Sequence, residues 1–75
     1  MIRVGDLSVG EYRRIDVRTS SGNVLEIRRA EIVESNGKKR LIGRVKENGI
    51  IFKKTQSFAE PTEIISHKKE KNKPT

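Results

Sequence analysis

Residues 24–52 read VLEIRRAEIVESNGKKRLIGRVKENGIIF, and the two Asn-Gly pairs inside this stretch, Asn36-Gly37 and Asn48-Gly49, decide the fold. Asn-Gly between runs of alternating apolar residues is the strongest short-range hairpin signal, because both central residues of a type I′ turn need positive φ. As two-residue loops, the turns fix the strand registers. Asn36-Gly37 sets Ile32 opposite Leu41 and Ala30 opposite Gly43. Asn48-Gly49 sets Val45 opposite Phe52, Arg44 opposite Lys53 and Lys46 opposite Ile51. Continued along the chain, the first register would put Arg28 beside Val45 on the inner face, where a charge is costly and Ile27 belongs. One extra residue around Arg28 and Arg29, a β-bulge, restores the phase.

Upstream, Ser20-Ser21-Gly22 has the form of a three-residue loop with Gly22 left-handed, which pairs Val17 with Leu25 and Ile15 with Ile27. The sequence thus predicts an all-β fold of four consecutive antiparallel strands, at roughly residues 12–19, 24–34, 38–46 and 50–55. Ile15, Val17, Leu25, Ile27, Ala30, Ile32, Leu41, Val45 and Phe52 face inward. The long second strand bends at its bulge and lets the sheet curl as small barrels do. Residues 1–9 and 58–65 carry Ile2, Val4, Leu7, Val9, Phe58, Ile64 and Ile65, which close the barrel ends or add a fifth strand, with Pro61 at an edge or turn. Residues 67–75 hold Lys68, Lys69, Lys71 and Lys73 without an apolar side chain, so nothing offsets the entropy of ordering them. The expected division is a barrel domain over residues 1–66 and a disordered basic tail over 67–75.

Composition narrows the function. A chain of 75 residues buries only about 60% of its unfolded surface. Apolar residues make up 32% and charged residues 36%, with three aromatics, Tyr12, Phe52 and Phe58, and no Trp. Little remains to wall a deep substrate pocket. The absence of Cys excludes a disulfide framework, a thiolate metal site and a cysteine nucleophile. Seventeen Lys and Arg against ten Asp and Glu give a net charge of +7. The pI is near 10.2, a balance that favours a polyanionic partner. The longest apolar run is the triplet Ile50, Ile51, Phe52, far short of the roughly 20 residues of a membrane span, so a cytoplasmic protein without a membrane partner is expected.

The same registers place the outward side chains. Arg14 falls opposite Arg28, the bulge adds Arg29, the third strand brings Arg44, and Arg44 faces Lys53, so five cations line up across four strands. Opposed like charges on a sheet are destabilising, and an anion between them would turn that cost into attraction. Four of the five are Arg, whose planar fork grips phosphate in two places. Arg18, Arg40 and Lys46 flank the row, and Asp16, Glu26 and Glu31 bound it. With the tail lysines Lys68, Lys69, Lys71 and Lys73, these are the candidate nucleic-acid contacts. The plainer alternative is that the charge keeps a small protein soluble while Lys and Arg stems cover apolar surface. Single-strand binders stack bases on exposed aromatics. Here Phe52 is expected inside, Phe58 in the core and Tyr12 at an edge, which favours contact with the backbone and shape of a folded nucleic acid.

Other motifs carry less. His67, the only histidine, has no cluster around it for metal or base chemistry. The glycines match neither the phosphate-loop nor the dinucleotide spacing. Asp6 after Gly5 reads as a turn former. No enzymatic activity, cofactor, metal or small-molecule substrate is expected.

The run VRTSSGNVLEIRRAEIVESNGKKRLIGRVKENGIIFKK resembles the SH3-like small β-barrels of archaeal ribosomal and archaeal chromatin proteins, over roughly residues 4–65. The chromatin barrels carry an exposed Trp and apolar wedges that kink the minor groove. This chain has no Trp and only Val33, Ile42 and Ile51 as outward wedge candidates. The resemblance implies a small archaeal ribosomal protein of either subunit, a structural rRNA-binding ribonucleoprotein component with neighbouring ribosomal proteins as further partners. The alternatives are an architectural DNA-binding protein and a protein-interaction barrel for an acidic partner.

Overall fold

The computed structural model describes residues 1–70. They form one antiparallel sheet of six strands: β1 (Ile2–Arg3), β2 (Gly10–Arg18), β3 (Val24–Ser35), β4 (Lys38–Glu47), β5 (Ile50–Phe58) and β6 (Glu63–Lys69). Among the described residues the only helical piece is a 3-10 turn at Val4–Asp6, and no helix is long and apolar enough to cross a membrane. The spatial order is β1-β6-β2-β3-β4-β5. The expected closed barrel of four to five strands is therefore corrected to an open sheet with β1 and β5 at its edges. Two-residue β1 pairs with β6 alone, and the chain then turns away at Val4, so the ladder cannot close onto β5.

The central meander follows the turn chemistry. Asn36 and Gly37 have φ of 54° and 76°, and Asn48 and Gly49 have φ of 53° and 80°, as type I′ turns require. Ile15 pairs with Ile27 and Val17 with Leu25, while Ile27 pairs with Val45 and Ile32 with Leu41. The register between β3 and β4 shifts by one residue between Arg28 and Glu31, and Arg29 takes a left-handed φ of 51°. This is the bulge that keeps Arg28 out of the core. Gly43 lies beneath it. A Cβ there would run into Ile27 Cγ2 and sit 3.1 Å from the Arg28 carbonyl oxygen and 3.2 Å from Ala30 Cα.

The core joins Ile15, Val17, Ile27, Ala30, Ile32, Leu41 and Val45 with Val4, Leu7, Tyr12 and Ile64, and Leu25 and Phe58 pack partly buried against it. The 3-10 turn caps one end of the curled sheet. The Val4 and Gly5 amides donate to the carbonyls of Thr62 and Glu60 at 3.0 and 3.1 Å, which inserts Val4 and Leu7. The Lys39 ammonium donates to the Leu7 carbonyl at 2.8 Å and ties this cap to β4.

Three further expectations are corrected. Phe52 is not in the core but 40% exposed. Lys46 does pair with Ile51, but the next pair is Arg44 with Thr55, so Phe52, Lys53 and Lys54 stand against Val45 alone. This longer bulge brings Phe58 opposite Leu41, and Phe58 takes the place against the core instead. Tyr12 is not at an exposed edge. It is 2% exposed, and its hydroxyl donates to the Ser8 carbonyl at 2.9 Å. Finally, residues 67–69 do not belong to a disordered tail: β6 runs through Lys69, with His67, Lys68 and Lys69 paired to Ile15, Arg14 and Tyr12. The sheet thus continues past the boundary expected at residue 66. Lys71 and Lys73 lie outside the described residues.

Candidate nucleic-acid interface

Cross-strand pairing assembles the site. Lys68 of β6 is opposite Arg14 of β2, which is opposite Arg28 of β3, which is opposite Arg44 of β4. The row ends on Thr55, not on Lys53, because the β5 bulge carries Lys53 past Arg44. Lys68 completes the row at its other end. Sequence reasoning missed this because residues 67–69 have no apolar alternation to mark them as a strand.

Two bulges widen the row. Arg13 is the extra residue of β2 against β6, between Tyr12 paired with Lys69 and Arg14 paired with Lys68. Arg29 is the left-handed residue of β3. Arg13 and Arg29 thus stand across from each other between the pairs Tyr12–Ala30 and Arg14–Arg28, and both are exposed. The underlying pattern is an apolar-Arg-Arg-apolar quartet on each strand, Tyr12–Ile15 against Ile27–Ala30. Each quartet turns two consecutive arginines away from the core. Arg13 escaped the sequence reading because strict alternation would have put it inside.

The neighbouring row is acidic at its centre, where Asp16 pairs with Glu26. Arg14 donates through Nε and Nη2 to Asp16 at 3.0 and 3.2 Å, and its Nη2 lies 3.6 Å from Glu26. Arg28 donates to Glu26 Oε2 at 2.8 Å. The hydrogen bond and charge of Asp16 hold the Arg14 guanidinium above its ordinary pKa. The repulsion expected between Arg14 and Arg28 is therefore relieved within the protein, which corrects the inference that only an external anion could balance them. Among the described residues no carboxylate lies within 4.0 Å of a charged nitrogen of Arg13, Arg29, Arg44 or Lys68. Within the row and its two bulges, these four are the cations that carry no ion pair among the described residues.

The remaining candidates are more dispersed. Lys46 is opposite Glu26. Lys53 is exposed in the β5 bulge. Arg18 and Arg40 each lie four residues along their strands from the row, or about 13 Å, and Arg40 donates to Ser57 Oγ at 3.1 Å. Lys69 holds its ammonium 6.0 Å from the Tyr12 ring centre. With Arg13, Lys68 and Glu70 it lines an open cleft of about 640 Å³. His67 meets the same ring edge-on at 5.9 Å.

No protein-family model, curated protein or solved structure matches this chain.

Proposed function

We propose that this protein binds structured RNA through its phosphates, as a small archaeal ribosomal protein contacting rRNA does. The observation that carries the reading is the group Arg13, Arg29, Arg44 and Lys68, unpaired with carboxylates among the described residues and gathered around two facing bulges. Arg29 adds weight. A left-handed backbone costs a side-chain-bearing residue about 1 kcal/mol or more, and glycine would avoid it, yet a long exposed cation occupies the position. Arg14 and Arg28, already paired with Asp16 and Glu26, position the row and contribute less net charge to a ligand. The cleft of Arg13, Lys68, Lys69 and Glu70 adjoins the same group.

The test is a salt titration of affinity for a folded RNA, with wild type beside Arg29→Gln/Arg44→Gln. The double variant is expected to bind more weakly, by similar factors for unrelated sequences, and to flatten the salt slope by about one unit per lost contact. Its melting temperature should not fall, because neither arginine is held in an ion pair. Unchanged affinity and slope with reduced stability would make these arginines structural and the reading wrong. Sedimentation of the endogenous protein with ribosomes through a high-salt wash tests the ribosomal assignment.

A further inference from the structure

The β5 edge carries a surface that phosphate binding does not use. Ile50, Ile51 and Phe52 are 63%, 46% and 40% exposed, side by side at the start of the strand. The second half of the same strand, Thr55-Gln56-Ser57, is polar, as suits an exposed edge. Neighbouring large apolar side chains left in water on so small a protein mark a contact site. The bulge explains how they come to be there. Val45 fills the inner position by itself, and three β5 residues must be accommodated against it.

Cations predominate beside this surface, with Glu47 opposite Ile50 as its one cross-strand acid. Lys53 and Lys54 follow it and are exposed, Lys46 is the cross-strand partner of Ile51, and Arg44 is opposite Thr55. A second copy of the chain is a poor occupant, since antiparallel pairing about the middle of β5 would set Lys54 against the other copy's Lys54. An exposed aromatic ring followed on its strand by two lysines suits a nucleotide, whose base offers a flat face and whose phosphate offers the charge. We propose, resting on the RNA-binding reading above, that Phe52 is a stacking platform for an unpaired base of the bound RNA, with Ile51 beside it and Lys53 and Lys54 on the flanking phosphates. The RNA recognised would then carry a loop or bulge next to the helix whose phosphates meet the Arg row.

The test compares a labelled RNA hairpin with an open loop and a fully paired duplex of similar length, for wild type, Phe52→Ala and Arg29→Gln/Arg44→Gln. Phe52→Ala is expected to weaken hairpin binding by about 5- to 100-fold, the size of one base stacked on one ring. It should leave duplex affinity within about twofold and the salt slope unaltered. The arginine variant should lose slope on both RNAs. Because the chain has no Trp, Phe52→Trp provides a single reporter, and its emission should be quenched by the hairpin and not by the duplex. Equal loss on both RNAs, or none, overturns the stacking platform while leaving RNA binding intact. Wild type that binds neither RNA with salt-dependent affinity overturns the RNA reading itself. A larger loss on the duplex than on the hairpin makes the patch a groove wedge, and a change from dimer to monomer in sedimentation of the Phe52→Ala variant assigns it to a second copy; either result overturns the proposal.

Discussion

Asp16 and Glu26 face one another across β2 and β3, each opposite a like charge and one step from an arginine of the adjoining row. The Asp16 carboxyl is drawn in two directions. Burial pushes its pKa up, while hydrogen bonds from Arg14 and Ser66 and the charges of Arg14 and Arg28 pull it down, and the net position is below the ordinary carboxylate value. A carboxylate with a lowered folded pKa stabilises the fold fully above its unfolded value, and that stabilisation is lost as pH falls through the folded value. Asp16→Asn is therefore expected to melt below wild type at neutral pH, with the gap narrowing as pH falls below the ordinary carboxylate range. Thermal melts of the two proteins across that range check it. A gap independent of pH would mean that the Ser66 contact at 2.9 Å, and not ionisation, carries the effect. The same pairing separates two kinds of arginine: Arg14 and Arg28 balance acids of the sheet, whereas Arg29 and Arg44 have no such partner among the described residues.

β6 shows how a strand forms with little apolar pattern of its own. Only Ile64 among its residues is buried, yet the strand lies between β1 and β2 and pairs with both. Its last three residues are ordered by the β2 backbone and by Tyr12, which meets the His67 ring and the Lys69 ammonium. A chain ending at Ser66 should lose this pairing and uncover Tyr12. It is expected to melt about 5–10 °C lower, the equivalent of roughly 1–2 kcal/mol in a domain of this size, with faster amide exchange over Tyr12–Ile15. An unchanged melt with unchanged exchange would show that β6 adds nothing beyond Ser66. Ile64 and Ile65 already offered a further strand, but its last three residues were hidden in the sequence, because backbone pairing leaves no periodicity when the side chains are all polar. The β3–β4 register was legible for the opposite reason: two Asn-Gly turns fix it, and the cost of burying Arg28 forces the bulge to Arg29. In β5, Lys53 through Ser57 offer no inward residue to count from, so the turn alone suggested Phe52 inside; Phe58 was expected in the core from its apolar neighbourhood, but its place opposite Leu41 was not visible. The candidate site was legible to the same extent. Arg14, Arg28, Arg29 and Arg44 follow from the readable registers, while Lys68 and Arg13 depend on β6.

At the scale of the whole molecule, the open sheet leaves a long edge. β1 is two residues long, but β5 spans nine residues and pairs on one side only. An exposed edge strand with apolar side chains invites another copy to extend the sheet, and lysines on the edge are a common defence. Lys54 is the middle residue of β5 and Lys53 precedes it, so antiparallel self-pairing about the centre would set Lys54 against its own copy with both Lys53 side chains close by. Replacing both by Thr lowers the net charge from +7 to +5 and keeps a residue type that favours strands. The variant is expected to associate in sedimentation velocity at concentrations where wild type stays monomeric, while its melt in dilute solution remains the same. Salt gives an independent check, because the defence is electrostatic. Near 1 M, where the screening length is about 3 Å, wild type should move toward the behaviour of the variant. A variant that stays monomeric at every salt concentration would show that the twist and bulge of β5, and not its two lysines, keep the edge from pairing.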